Sequence, residues 1–296
     1  MSTPTAPMDP RLGRRFTEHD PQNLEYRARA LLNTRPLQDQ DRYWPMPTSG
    51  QFPLDQGNSP ECTGFGSAHE YALGPVQVPG MNAAFAHQRY LRNVQTDVAA
   101  GHHFDGGATV AATMRAAKVD KLITGYVWNI GLDDTIASLV NVGPICLGTD
   151  WLEGMFRPDN DGLLTATGAT AGGHFWVLAA RVKNHHTWGP GCWMVQSWGR
   201  WGVGVPQLGL GTGCAFVQDA TLAKLLARSG ESVVMRDHFD APPIVEPESA
   251  RYFAEHGSRV FHDTHKGKAR DVGYATYADA VAAGLRGCRV CNPRRS

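Results

Sequence analysis

Residues 174–182, His-Phe-Trp-Val-Leu-Ala-Ala-Arg-Val, constrain the fold more than any other stretch of the chain. A half-buried strand alternates polar and apolar residues, whereas a near-continuous apolar run rich in Val and aromatics reads as a strand buried on both faces. Such a strand needs a packed layer on each side. Residues 145–151, 191–196 and 213–217 are further β-prone stretches. The preceding half of the chain is different: Phe65, Ala68 and Ala72 repeat at helical steps, as do Ala84, Phe85, Gln88, Leu91 and Val98 within 81–99. An alanine-rich helix is expected over 108–117, and another over 133–141 with Asp133 or Asp134 as its cap. Helices first and strands second predict an α+β domain of two lobes. A cleft between them places Cys62 on one wall and His174 on the other.

The chemistry gathers at residues 55–71, Asp-Gln-Gly-Asn-Ser-Pro-Glu-Cys-Thr-Gly-Phe-Gly-Ser-Ala-His-Glu-Tyr, which read as a loop turning into a helix. Ser59 is suited to cap the first turn, Pro60 to the first helical position, and Cys62 falls within that turn. A thiol at a helix N-terminus meets unpaired N–H groups and the positive end of the peptide dipoles, which favour thiolate. Gln56 stands six positions before Cys62, His174 follows Gly172 and Gly173, and Gln196-Ser197-Trp198-Gly199 comes later.

These motifs resemble those of the papain family of cysteine peptidases, over roughly two thirds of the chain. The resemblance implies a papain-like two-lobed fold over residues 50–240, a helical lobe followed by an antiparallel sheet lobe. It also implies Cys62 as nucleophile, His174 as its base, Gln56 as an oxyanion donor and Gln196 as the group that orients the histidine. Gly106 and Gly107, ahead of the alanine-rich helix, correspond to a Gly-Gly segment that borders the substrate cleft in the family, and Gly173 adjoins the same cleft. Trp198 and Trp201 are expected to shield the His174–Gln196 bond from water. From position, Trp151 and Phe156 are expected to line a pocket for an apolar side chain. Two departures stand out. The family's asparagine is Gln196 here, one methylene longer, and Glu61 precedes the nucleophile, where a carboxylate disfavours thiolate.

The implied activity is peptide-bond hydrolysis through a thiolate–imidazolium pair and an acyl-enzyme, on a peptide or protein substrate and without a catalytic cofactor. Two other readings are open. One is an amide hydrolase acting on peptidoglycan cross-links. The other is a papain-fold binding or structural protein, part of a larger assembly through its N-terminal arm and C-terminal module.

Twenty-eight basic and 28 acidic residues give zero formal net charge, which recommends neither nucleic acid nor an anionic membrane as partner. The N-terminal residues lack the layout of a secretory signal, and no apolar run reaches the ~20 residues of a membrane span, so a cytoplasmic location is expected. Six cysteines at irregular spacing do not make a disulfide framework; Cys146, Cys192 and Cys214 read as core. Ser59 stands where the secreted relatives carry a disulfide cysteine.

Residues 1–49 read as an arm with one helix over 23–32, short for the inhibitory propeptide of secreted relatives and equally a strap across the domain. Residues 241–249 form a Pro-rich linker. Residues 250–296 form a small α/β module with a helix over 277–283. Its ending, 284–293, resembles that of small zinc-binding modules, which implies a tetrahedral structural zinc site built from Cys288 and Cys291 with His262 or His265. A module held by packing alone is the other reading. The pairs His102-His103 and His185-His186 read as solvated.

Overall fold

The apolar run that begins at His174 lies in the middle of a large antiparallel sheet. The computed structural model describes residues 9–17, 39–47, 51–238, 252–254, 260–261, 272–274 and 286–287; of 237–238 and the four C-terminal strands it describes the backbone alone. Two units are distinguished, Met1–Ala241 and Pro242–Ser296.

In the first unit, β1 (Arg14–Arg15) and β2 (Arg42–Tyr43) come from the arm. The helical lobe follows: α1 (Cys62–Ala72), α2 (Ala83–Ala99), β3 (Ala108–Thr109) and α3 (Val110–Val119). Then come β4 (Ile123–Asn129), α4 (Gly131–Asn141), β5 (Ile145–Leu152), β6 (Thr170–His185), β7 (Gly189–Val195), β8 (Val203–Val205), β9 (Leu210–Gln218), α5 (Asp219–Ala227) and β10 (Glu231–His238). The sheet runs β4-β10-β5-β6-β7-β9-β8 with antiparallel pairing throughout. β2 adds to β6 at Ala180 and Arg181, beyond the point where β5 stops.

β6 is buried on both faces, and its period of two divides the core. Trp176 and Leu178 join Leu147, Met194, Ala215, Leu222 and Leu225 on one side. Val177 and Ala179 join Val195, Cys214, Leu73 and Met46 on the other. On the helical side α1 lies against β6 so closely that a Cβ on Gly66 would come 2.4 Å from the Phe175 ring. The α+β architecture, helical lobe before sheet lobe, is the one expected.

Several local expectations shift. α1 begins at Cys62 with Glu61 as N-cap and no side-chain cap, because the Ser59 hydroxyl donates to the Gln56 carbonyl at 2.7 Å instead. Pro60 therefore lies in the loop. Asn82 caps α2, accepting from the Phe85 N–H at 2.9 Å. The expected helix at 108–117 starts with two extended residues, because Ala108 and Thr109 pair in parallel with Arg14 and Arg15. Neither Asp133 nor Asp134 caps α4 as expected; Ile130 is the N-cap, and Asp134 accepts its N–H from inside the first turn. Strands β4 and β10 and helix α5 go beyond the sequence reading.

The arm's described parts lie on the domain. Leu12 is 1% exposed. Arg181 forms paired bonds with Asp39 and Asp219, and the Trp44 N–H donates to Ala179 O at 3.0 Å. The expected helix at 23–32 lies outside the described residues, as do the linker at 241–249 and the helix at 277–283. In the second unit, Tyr252–Ala254 pairs antiparallel with Val272–Tyr274, and Val260–Phe261 pairs parallel with Arg286–Gly287.

Candidate active site

The Gln56 loop and the Gln196 turn are stitched together before any chemistry is considered. The Gln56 N–H donates to Ser197 O at 2.9 Å, and Asp55 bridges Trp198. The turn needs glycine: Gly199 has φ +56°, and a Cβ there would come 2.7 Å from the Asp55 carboxylate. This join fixes the Cys62 helix start relative to the residues that hold His174.

Cys62 is wholly buried. Its helix packs on β6 next to His174, since a Cβ on Gly66 would meet the Phe175 ring. The His174 Nε2–H donates to Gln196 Oε1 at 2.9 Å, so glutamine makes the orienting bond despite its extra methylene. His174 Nδ1 is left without a partner. Trp198 and Trp151 each pack 4.8 Å from the His174 ring, centroid to centroid, and Trp201 packs against both tryptophans.

Gln56 is occupied differently from expectation. Its Nε2 donates to Ser59 O at 2.6 Å and to Arg11 O at 3.0 Å, while its Oε1 accepts from the Ser197 hydroxyl at 2.5 Å. The Gln56 side-chain amide is thus engaged by the chain's own N-terminal strap. Gly106 and Gly107 have φ of +75° and +82°, and a Cβ on Gly107 would come 2.0 Å from Gly13 O. A Cβ on Gly173 would come 2.4 Å from Arg14 O. Gly107 and Gly173 therefore give the strap room to lie close against the domain. The Arg11 guanidinium lies over the Trp198 ring at 4.2 Å and the Phe156 ring at 5.5 Å. Trp151 is fully buried in the core, its ring 4.8 Å from that of His174 and 5.2 Å from that of Trp198, rather than at the wall of an open pocket.

Burial sets the protonation states. It pushes the Cys62 thiol up to about 11, against the N–H groups and Arg14 that pull it down. It also pushes His174 down to about 3, which the bond to Gln196 only partly opposes. Burial thus works against the helix-start argument for a thiolate at Cys62. Glu61 is not bare beside Cys62, since its carboxylate lies 3.0 Å from His87 Nδ1 on α2.

His262, His265, Cys288 and Cys291 lie outside the described residues; among the described residues no group of His, Cys, Asp or Glu suits a metal ion. Among the same residues no helix is long and apolar enough to cross a membrane. Cys146, Cys192 and Cys214 are buried and free. His185 packs on Trp188, with centroids 4.3 Å apart. Sequence reasoning missed Arg11, Gly13, Arg14, Ser197 and Glu231. Ser197 adjoins a residue already singled out, and the arginine-rich 11–15 segment was visible but carried no sign of where it lies.

No family model matches the chain, and no curated protein matches it. Among solved structures it is similar to xylellain, a cysteine protease from Xylella fastidiosa, at 12% identity over 80% of this chain and 100% of that one, with a TM-score of 0.49. It is also similar to digestive procathepsin L 3 from the Tenebrio molitor larval midgut, at 11% identity over 77% of each chain and a TM-score of 0.46. A third is bromelain from Ananas comosus, at 12% identity over 67% of this chain and 98% of that one, with a TM-score of 0.45. What this chain can do chemically rests on its own residues.

Proposed function

We propose that residues 50–240 form a papain-like cysteine peptidase whose cleft is closed by the strap at residues 9–15. One observation carries the reading. The helix that begins with Cys62 packs on β6, where His174 has Nε2 tied to Gln196 and Nδ1 without a hydrogen-bond partner.

With the strap lifted, water and substrate reach the pair, and the thiol proton passes to His174 Nδ1. The thiolate attacks a peptide carbonyl carbon, and the new oxyanion takes the Cys62 N–H and the Gln56 Nε2–H that Arg11 O now occupies. The C–N bond then breaks as the imidazolium gives its proton to the leaving amine. Water, deprotonated by the same imidazole, hydrolyses the thioester and restores the thiol. Trp198 over His174 keeps water from the Gln196 bond, which strengthens it.

Cleavage of an unfolded protein such as reduced casein tests this, using the full chain with the strap dislodged by Gly107→Ala. Cleavage that disappears with Cys62→Ala and with His174→Ala is expected. No cleavage by a folded variant whose Cys62 is freely alkylated would refute the peptidase.

The wholly buried Arg14–Glu231 pair motivates a second reading, a binding protein whose strap never leaves. In that case Gly107→Ala destabilises the domain without releasing any activity.

A further inference from the structure

One buried side chain ties the segment that carries Gln56 to the helix that begins with Cys62. His69 lies on α1 about two turns on from Cys62 and is wholly buried. The Leu54 N–H donates to its Nε2 at 2.8 Å. A ring nitrogen that accepts carries no proton, so the ring proton is on Nδ1, which has no hydrogen-bond partner. An imidazolium has N–H on both nitrogens and could not accept, so this bond requires the neutral ring. Burial favours that form as well, pushing His69 down to about 3. The Phe52 ring meets the imidazole edge-on, with centroids 6.0 Å apart.

Stability alone gives little reason for a histidine here. An apolar side chain of similar size would strand the Leu54 N–H, whereas the histidine satisfies that N–H and strands its own Nδ1–H. One buried donor is left over in either case, so the exchange is nearly even and its gain is positional.

The position concerned is that of Gln56. Leu54, Asp55 and Gln56 are held at three successive points: the Leu54 N–H by His69, Asp55 by its bridge to Trp198, and the Gln56 N–H by Ser197 O at 2.9 Å. The last two join the segment to the turn that carries Gln196. Of the three, the His69 bond is the one that runs to α1, so it sets where the Gln56 amide stands relative to the start of the Cys62 helix. A donor to a developing oxyanion acts through its distance from that charge, so a displaced donor lowers kcat more than it raises KM.

We infer that His69 is a positioning residue of the proposed active site: by accepting the Leu54 N–H it fixes the Gln56 side-chain amide against α1, so that nucleophile and oxyanion donor move as one body. The inference deepens the peptidase reading and rests on it for the role of Gln56; the anchoring bond does not depend on turnover.

The test compares His69→Leu, which keeps the packing and removes the acceptor, with His69→Gln, whose Oε1 accepts in its place. In the full-length proteins, exchange of the Leu54 amide hydrogen followed by NMR is expected to be at least about tenfold faster than wild type with leucine, and close to wild type with glutamine. In the Gly107→Ala background, His69→Leu is expected to lower kcat for casein by at least about tenfold with little change in KM, and His69→Gln to recover most of it. Leu54 exchange that is unchanged by leucine, or equal defects in the two variants, overturns the inference. Should the leucine variant fail to fold, the imidazole nitrogen shifts of wild-type His69 decide: a bare Nε2 supports the anchor and a protonated Nε2 overturns it. Casein cleavage indifferent to His69→Leu refutes this inference and leaves the peptidase standing; Leu54 exchange that follows the acceptor, without cleavage by any variant, keeps the anchor and refutes the peptidase.

Discussion

Gln56 Nε2 donates to the Arg11 carbonyl at 3.0 Å, so a side chain suited to hold an oxyanion holds the chain's own backbone. The same strap lies against Gly107 and Gly173, close to Gly13 O and Arg14 O, and Cys62 and His174 are both wholly buried. Strap and chemistry are therefore one system, and whatever loosens the first exposes the second.

Gly107 is where that system is most easily opened. Its φ of +82° and the 2.0 Å approach of Gly13 O leave no room for a methyl group. Gly107→Ala is expected to displace the strap and raise the rate of iodoacetamide alkylation at Cys62 at least tenfold, read by site-resolved mass spectrometry. An unchanged rate in a variant with native circular dichroism would show that the strap does not guard the thiol. The destabilisation expected from forcing in the extra group is about 1–3 kcal/mol.

Gln196 orients His174 through a single bond of 2.9 Å. In the strap-displaced background, Gln196→Ala is expected to lower the rate of casein cleavage by about 10²-fold, a typical loss for a mispositioned base. Gln196→Glu, which keeps the acceptor and chain length, should shift the pH profile upward by stabilising the imidazolium. Equal activity of wild-type and alanine side chains would remove Gln196 from the site.

Acid should unfold the domain partly through two buried histidines. His174 and His69 are both pushed by burial to about 3, below the ordinary 6.5. In that interval the unfolded chain binds the protons, so stability is full above pH 6.5 and falls with pH down to about 3. The loss is about 1.4 kcal/mol per pH unit for each histidine once well below 6.5. His174→Gln should reduce the pH dependence of urea unfolding between pH 6 and 5 by about that amount. A slope identical to wild type would mean that His174 is charged in the folded protein.

Arg181 ties the arm to the far end of β6. Its side chain is 3% exposed and bonded to both Asp39 and Asp219. Arg181→Ala removes the charged hydrogen bonds to two partly exposed carboxylates and should cost about 1.5–3 kcal/mol in urea unfolding. Arg181→Met, which keeps the packing, should cost less only if Asp39 and Asp219 turn to solvent; equal losses would locate the effect in the ion pairs.

The division between sequence and tertiary structure follows the range of the interactions. Helical and strand periods are local, so the order of lobes and the double burial of β6 were legible from single stretches, as were Cys62 at a helix start and His174 at a strand. Pairing partners with long separations were not. Nothing near Arg14 signals that it meets Glu231, and nothing in a lone glutamine signals whether its extra methylene still reaches a histidine. Only the folded chain decided that Gln196 does reach it, that Trp151 belongs to the core, and that Cys62 is wholly buried, which works against a thiolate. Charge states depend on desolvation by the whole surrounding shell, and that shell is assembled from segments that are far apart in sequence.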